Sequence, residues 1–248
     1  FVYIYLMRIL LILLLTLQIN SLKADEIFNL VKIPNLEVYK LNSANGIKYL
    51  NAKKDFRIGV NDNIKCDKSN KKSLDNKFPL ISKNLETYDA DFLKKINLRF
   101  IVLCENLYIS EINTGGIPDN KKRTLILDLN FNEKYFERVI HHEIFHIIHN
   151  SYKLIFDETI WSELNDETFK YAECSTCSDR LDLDLYDVTK GFLTEYSKST
   201  ASEDMAEVYS FLITDKINIK NKANKDSILF NKIEYIKSRI DKIINFKL

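Results

Sequence analysis

The rhythm of apolar and polar positions changes several times along the chain, and each change predicts an element. Leu36–Tyr39 and Phe56–Val60 are short apolar patches among Asn, Lys and Asp, which predicts short strands with turns at Asn45-Gly46 and Asn61–Asn63. Asp67–Asn76 is polar and reads as a loop, whereas Leu85, Tyr88, Phe92, Leu93 and Ile96 fall at helical spacing within Leu80–Ile96. Arg99–Cys104 and Asn106–Ile112 are rich in Ile, Val, Tyr and Phe, as strands are. Gly115–Asn120 reads as a turn. Thr124–Leu129 then alternates Leu125, Leu127 and Leu129 against Thr124, Ile126 and Asp128.

A helix is expected from about Glu133 to His149, with Asn130 and Glu133 at capping-box spacing and Asn132 an equally good cap. Asp157–Phe169, with the single Trp161, reads as helical in part, and Lys170–Asp187 as irregular. Val188–Tyr196 and Glu203–Thr214 read as helices separated by Ser197–Ser202, and Thr200 and Glu203 again have capping-box spacing. Ile228–Ile244 is an amphipathic helix with Leu229, Ile233, Ile236, Ile240 and Ile244 on one face. No internal repeat is visible.

The start of the chain follows a different pattern. After Met7 come Arg8, the apolar run Ile9–Leu17, the polar Gln18–Ser21 and then Leu22-Lys23-Ala24. This is the layout of a secretory signal peptide over residues 7–24 with cleavage after Ala24. The rival reading is an uncleaved anchor, but the run is short against a span of ~20 residues. The expected organisation is therefore signal peptide 1–24, a segment of unrecognised role 25–79, and one domain over 80–248. The expected location is exported, periplasmic or secreted, without stable membrane association after cleavage. Export makes Cys66, Cys104, Cys174 and Cys177 candidates for disulfides, Cys66–Cys104 being one pair and Cys174–Cys177 the other.

Composition adds limits. The 248 residues are 46% hydrophobic and 29% charged, enough for a real core and a hydrated surface. With 36 basic and 35 acidic residues the net charge is +1, which gives no electrostatic hold on nucleic acid or an anionic membrane.

The chemistry is concentrated in His142-Glu143-Ile144-Phe145-His146, a His-Glu-x-x-His pattern on a predicted helix. Residues four apart stack on one helix face, so both imidazoles can reach one Zn²⁺. Glu143 projects beside them, placed to move a proton from an attacking water to a leaving amine. All four histidines, His141, His142, His146 and His149, lie in this helix, so no third downstream histidine exists. His149 shares the ligand face but lies ~4.5 Å further along the axis than His146, and His141 points elsewhere. The third ligand is then a carboxylate or a thiolate. Glu203 and Glu207, four apart on a predicted helix, project together. One would bind zinc and the other would hold the free ring nitrogen of a ligand histidine. Cys174 and Cys177 are the competitors, but two thiolates with two histidines close the site and leave no catalytic position.

A His-Glu-x-x-His helix followed by a helix with Glu203-Asp204-Met205-Ala206-Glu207 resembles the gluzincin metallopeptidases, in particular the lethal-factor-like branch and the bacterial putative zinc-binding metallopeptidases. The resemblance covers roughly residues 80–215 and extends to Trp161–Asn165 and Phe169–Tyr171. It implies Glu203 as ligand and Glu207 as its support. It also implies Tyr196, seven residues before Glu203, as the phenol that stabilises an oxyanion. The implied fold is α+β and zincin-like, a small mixed sheet on the zinc helix with a mainly helical C-terminal lobe. The implied activity is zinc endopeptidase with one Zn²⁺ and a peptide or protein substrate, Thr124–Leu129 serving as the edge strand that pairs with substrate backbone. The 57 residues between His146 and Glu203 exceed the short-spacer pattern and call for an inserted loop. The alternative classes are a non-catalytic zinc-stabilised exported binding protein and a zinc hydrolase of a non-peptide amide.

Overall fold

The computed structural model describes residues 36–41 and 43–243. The segment read as a signal peptide lies outside the described residues. The fold is α+β, a mixed sheet backed by helices.

The ten-residue strand β5 (Phe100–Ile109) is the spine of the sheet. Its first half lies between β2 (Lys48–Ala52) and β8 (Thr124–Asp128), parallel to both. β1 (Leu36–Lys40) flanks β2, and β7 (Gly116–Asp119) flanks β8, both antiparallel. Beyond Cys104 the partners change. The second half of β5 pairs antiparallel with β4 (Ile64–Asp67) and with the short β6 (Ile112–Asn113), and β3 (Phe56–Ile58) pairs with β4. Cys66 of β4 is disulfide-bonded to Cys104 of β5 at this change of partner, with a Cα separation of 6.0 Å.

Period-two alternation sorts the strand side chains. Ile101 and Leu103 of β5, with Leu125 and Leu127 of β8, enter the main core under the helices. Val102, Cys104 and Ile126 point to the other face, where they meet Phe56 and Leu107 in a smaller cluster. Each fully buried aliphatic side chain stabilises the fold by about 1.5–3 kcal/mol relative to exposure.

Several sequence expectations are corrected. Asp67–Asn76 is not a loop throughout: α1 (Lys71–Leu85) begins at Lys71, its first turn capped by Asn70, whose side chain accepts from the Ser73 amide at 2.9 Å. α2 (Ala90–Lys95) follows after a break. The boundary drawn at residue 80 falls inside α1, and β1–β4 share the sheet with β5. Gly116–Asp119 is strand β7 and not part of a turn, which places β8 inside the sheet between β5 and β7 and makes β7 the edge. Val188–Tyr196 is not a helix. Gly191 there has φ +86°, its amide donates to Asp226 Oδ2 at 2.6 Å, and a Cβ on it would come within 2.5 Å of Ile228.

The long α3 (Glu133–Ser151) leaves β8 through a short turn, with Asn132 and not Asn130 as its cap. It is buried on nearly all sides between the sheet and α5 (Ala201–Thr214). Phe145 packs against Phe156 and Tyr209, with ring centroids 5.1 and 5.2 Å apart. The short α4 (Glu158–Ser162) carries Trp161. α6 (Lys216–Ala223) and α7 (Ser227–Ile243) complete the helical side. Among the described residues no helix is long and apolar enough to cross a membrane.

His141 faces away from the metal-ligand pair into a buried polar chain. Tyr209 donates to Tyr88 at 3.3 Å, Tyr88 donates to His141 Nδ1 at 2.6 Å, and His141 Nε2 faces Asn84 Oδ1 at 2.8 Å. A neutral imidazole satisfies this chain, and burial depresses the ring's pKa from 6.5 to about 4. Between those two values the unfolded chain binds the extra proton. The stabilisation is therefore complete above pH 6.5 and lost as the pH falls toward 4. Replacing His141 by Gln should remove about 2–3 kcal/mol of the stability difference between pH 7.5 and pH 4.5. Urea unfolding at the two pH values measures it, and equal pH dependence in both proteins would contradict the assignment.

Candidate metal centre

Helices α3 and α5 pack side by side, and Ala206, between Glu203 and Glu207 on α5, is fully buried. This packing brings the α5 carboxylates to the histidine face of α3. Thr200 caps α5 by accepting from the Glu203 amide at 3.2 Å, so Glu203 occupies the first turn. Its side chain turns to α3 instead of closing a capping box. The positive end of the helix dipole favours its ionised form.

The three candidate ligand atoms converge. Glu203 Oε2 lies 2.8 Å from His142 Nε2 and 3.0 Å from His146 Nε2, and the two nitrogens are 3.1 Å apart. Among the described residues, His142, His146 and Glu203 form the one group of three whose ligand atoms are close enough to hold a metal ion. Four ligands at ~2.0–2.1 Å around zinc stand roughly 3.3–3.4 Å from one another, so these spacings are near those of a tetrahedral face. The remaining ring nitrogens are also engaged. His142 Nδ1 has Glu207 Oε1 at 2.9 Å, and His146 Nδ1 has Ser202 Oγ at 3.3 Å. With their protons on Nδ1, both rings aim a lone pair at the other and at a carboxylate oxygen. Three electron-rich atoms within such distances form a site that could hold a cation. The donor set, two imidazoles and one carboxylate with further positions open, suits Zn²⁺.

Glu207 is almost fully buried and saturated. Besides His142 it accepts from Thr194 Oγ1 at 2.9 Å, and Arg138 Nε stands 3.9 Å away. Burial opposes its charge, but His142 and Arg138 outweigh burial and keep its pKa below the ordinary carboxylate value. Burial also opposes a charged His142, and the carboxylates of Glu203 and Glu207 reverse that effect, so that its proton affinity rises to about 10 from the protein's own charges. A bound divalent cation would take the place of that proton.

Glu143 lies on the neighbouring flank of α3, where burial raises its carboxyl to about 7 and the imidazoles of His142 and His146 pull the other way. A Cβ on Gly116 would come within 2.6 Å of Glu143 Cγ, so a glycine in β7 makes room for this side chain. Tyr196 sits in a short 3₁₀ turn (Tyr196–Lys198), its ring centroid 5.8 Å from that of His142. Burial and the nearby Glu203 and Glu143 charges push its pKa well above 10, which keeps the phenol a hydrogen-bond donor.

The remaining candidates fall outside the convergence. His149 Nδ1 lies 3.1 Å from Ser202 Oγ and its Nε2 lies 3.5 Å from Glu158. Cys174 and Cys177 are bonded to each other, which removes them as thiolate ligands. Sequence reasoning missed four supports: Ser202, Thr194, Arg138 and, beside Glu203, Asp204. Asp204 is fully buried and accepts from Trp161 Nε1 at 2.9 Å, Tyr171 at 2.6 Å and Lys232 Nζ at 2.6 Å. This cluster ties α4, the segment around Tyr171, and α7 to the start of α5. The one available signal was Trp161 and Tyr171 themselves, which the resemblance had marked without a role.

A mixed sheet over a buried His-Glu-x-x-His helix, with a glutamate facing both histidines, defines the class of zinc metallopeptidases. The chain belongs to the family described as "Putative zinc-binding metallo-peptidase", whose family model matches residues 21–240. Among solved structures, a putative zinc-binding metallo-peptidase from Bacteroides caccae is similar at 21% identity and a TM-score of 0.47, over 68% of this chain and 70% of that one. No curated protein matches.

The contact between Glu207 and His142 should be worth about 10–100-fold in metal affinity. Glu207→Gln, titrated with zinc against a chromophoric chelator, should lose that factor while its circular dichroism stays unchanged. Unaltered affinity would contradict the role.

Proposed function

We propose that this protein is an exported zinc endopeptidase of the gluzincin type, with His142, His146 and Glu203 holding one Zn²⁺. The observation that carries the reading is the approach of Glu203 Oε2 to both ligand imidazoles with Glu143 buried alongside. The donor set fits zinc. When bound, zinc supplies Lewis acidity toward a scissile carbonyl and toward water.

This chain's own residues do the rest. Glu143, with a carboxyl poised near 7, accepts the proton of the attacking water and delivers it to the leaving amine. Tyr196, held protonated, donates to the oxyanion that develops on the carbonyl. Glu207 fixes the His142 tautomer.

The substrate backbone aligns along β7. The Asp128 amide donates to Gly115 at 3.0 Å, and Gly116 pairs with Leu127 in register. In an antiparallel ladder alternate residues bond inward, so Gly115, Ile117 and Asp119 face β8 while Gly116 and Pro118 face the free edge. At that edge the Gly116 amide and the Pro118 carbonyl offer one donor and one acceptor to an extended peptide next to Glu143, since Pro118 has no N–H and the Gly116 carbonyl accepts from Thr114 Oγ1. Export is supported by the residue 7–24 pattern and by two disulfides, which persist in oxidising compartments.

Glu143→Gln should retain one equivalent of zinc and lose about 10²–10⁴-fold in peptide hydrolysis. Metal analysis and a peptide-digest assay on the same preparation test it. A fully active variant would refute the role of Glu143.

A further inference from the structure

Glu143, His142 and Tyr196 form one side of a cavity of about 120 Å³ whose other walls the catalytic reading leaves unused. Phe131 lines it from the turn before α3, Val139 from α3, and Leu181 and Leu183 from the stretch after α4. Its apolar walls, Phe131, Val139, Leu181 and Leu183, suit an aliphatic side chain. Its charge is bounded. Arg138 reaches the cavity, but its guanidinium is engaged with the Leu183 carbonyl, lies 4.4 Å from the Phe211 ring centroid, and stands near Glu207. It offers no free cation to an acidic side chain. Gly115 keeps the space open, since a Cβ there would come within 2.7 Å of Val139 and 2.8 Å of Phe131.

The outer wall comes from the stretch 163–195, which contains no helix or strand. Ser175 and Thr176 line the cavity from the tip of a turn that the Cys174–Cys177 disulfide closes. Polar ties hold the stretch in place: Tyr135 to Asp184 at 2.7 Å, the Tyr196 amide to the Asp182 carbonyl at 3.0 Å, and the Ala172 amide to the Ser199 carbonyl at 2.9 Å. The wall is thus an irregular loop tied to the helices around it, with a local covalent link at its tip. This is the insertion that the long spacing from His146 to Glu203 called for.

We infer that this cavity is the specificity pocket for a branched aliphatic side chain flanking the scissile bond, and that the loop closed by Cys174–Cys177 sets its width. The inference rests on the peptidase reading for the identity of its occupant. A pocket of this kind discriminates by the carbons it buries, about tenfold or more for each methylene gained or lost.

The test pairs cleavage with binding. A random peptide library digested by the zinc-loaded wild type, with sites mapped by mass spectrometry, should show Leu, Ile or Val favoured at least ~10-fold over Ala at one position flanking the cut. Leu183→Ala, half-buried and away from the core, should shift the preference toward Phe, and Val139→Phe should shift it toward Ala and Gly. The double variant Cys174→Ala/Cys177→Ala should relax discrimination several-fold with an unchanged melting temperature. Calorimetric binding of Leu- and Ala-containing peptides to the Glu143→Gln protein should reproduce the wild-type preference without turnover. Cleavage with no side-chain preference, or an identical profile in all variants, overturns the pocket and leaves the peptidase reading standing. Selective binding with no hydrolysis by the wild type overturns the peptidase reading instead. A double-cysteine variant with the wild-type profile overturns the role of the disulfide-closed loop.

Discussion

Two ring nitrogens and a carboxylate oxygen converge to within 2.8–3.1 Å of one another, and the helical half of the molecule is built around that convergence. Placing them so close requires two helices packed side by side. It also requires rings that do not rotate. Glu207 holds one ring, and Ser202 holds the other. The cost of burying these charges is offset by pairing each with an opposite charge or a donor, as Glu207 is with His142, Thr194 and Arg138.

The sheet contributes by approach. Gly115 and Gly116 let β7 lie against α3 where any larger residue would collide with Val139, Phe131 or Glu143. One strand edge, the general-base candidate and the apolar cavity thereby share one wall of the molecule. On the far side, Asp204 gathers Trp161, Tyr171 and Lys232 around the start of α5, so the chain's C-terminal helix helps fix the position of the ligand glutamate.

What could be read in advance was what local geometry dictates. His142 and His146 are partners because four residues separate them in a helix, and Glu203 and Glu207 pair for the same reason. The alternation of Leu125, Leu127 and Leu129 named the core face of β8 correctly. Elements whose apolar content is thin were not legible: β2 and β4 carry Lys, Asn and Asp among their few core residues, and the polar start of α1 looks like a loop until Leu74, Ile81 and Leu85 are seen buried. Gly191 ended a helix that its neighbours favoured. The Lys232–Asp204 and Thr194–Glu207 contacts belong to tertiary packing, which no short-range spacing reports.

X-ray absorption at the zinc edge of the loaded protein tests the central claim most directly. The account requires a shell of nitrogen and oxygen only at ~2.0–2.1 Å, with outer-shell scattering from two imidazoles. A sulfur shell near ~2.3 Å, or the signature of a third imidazole, would contradict it.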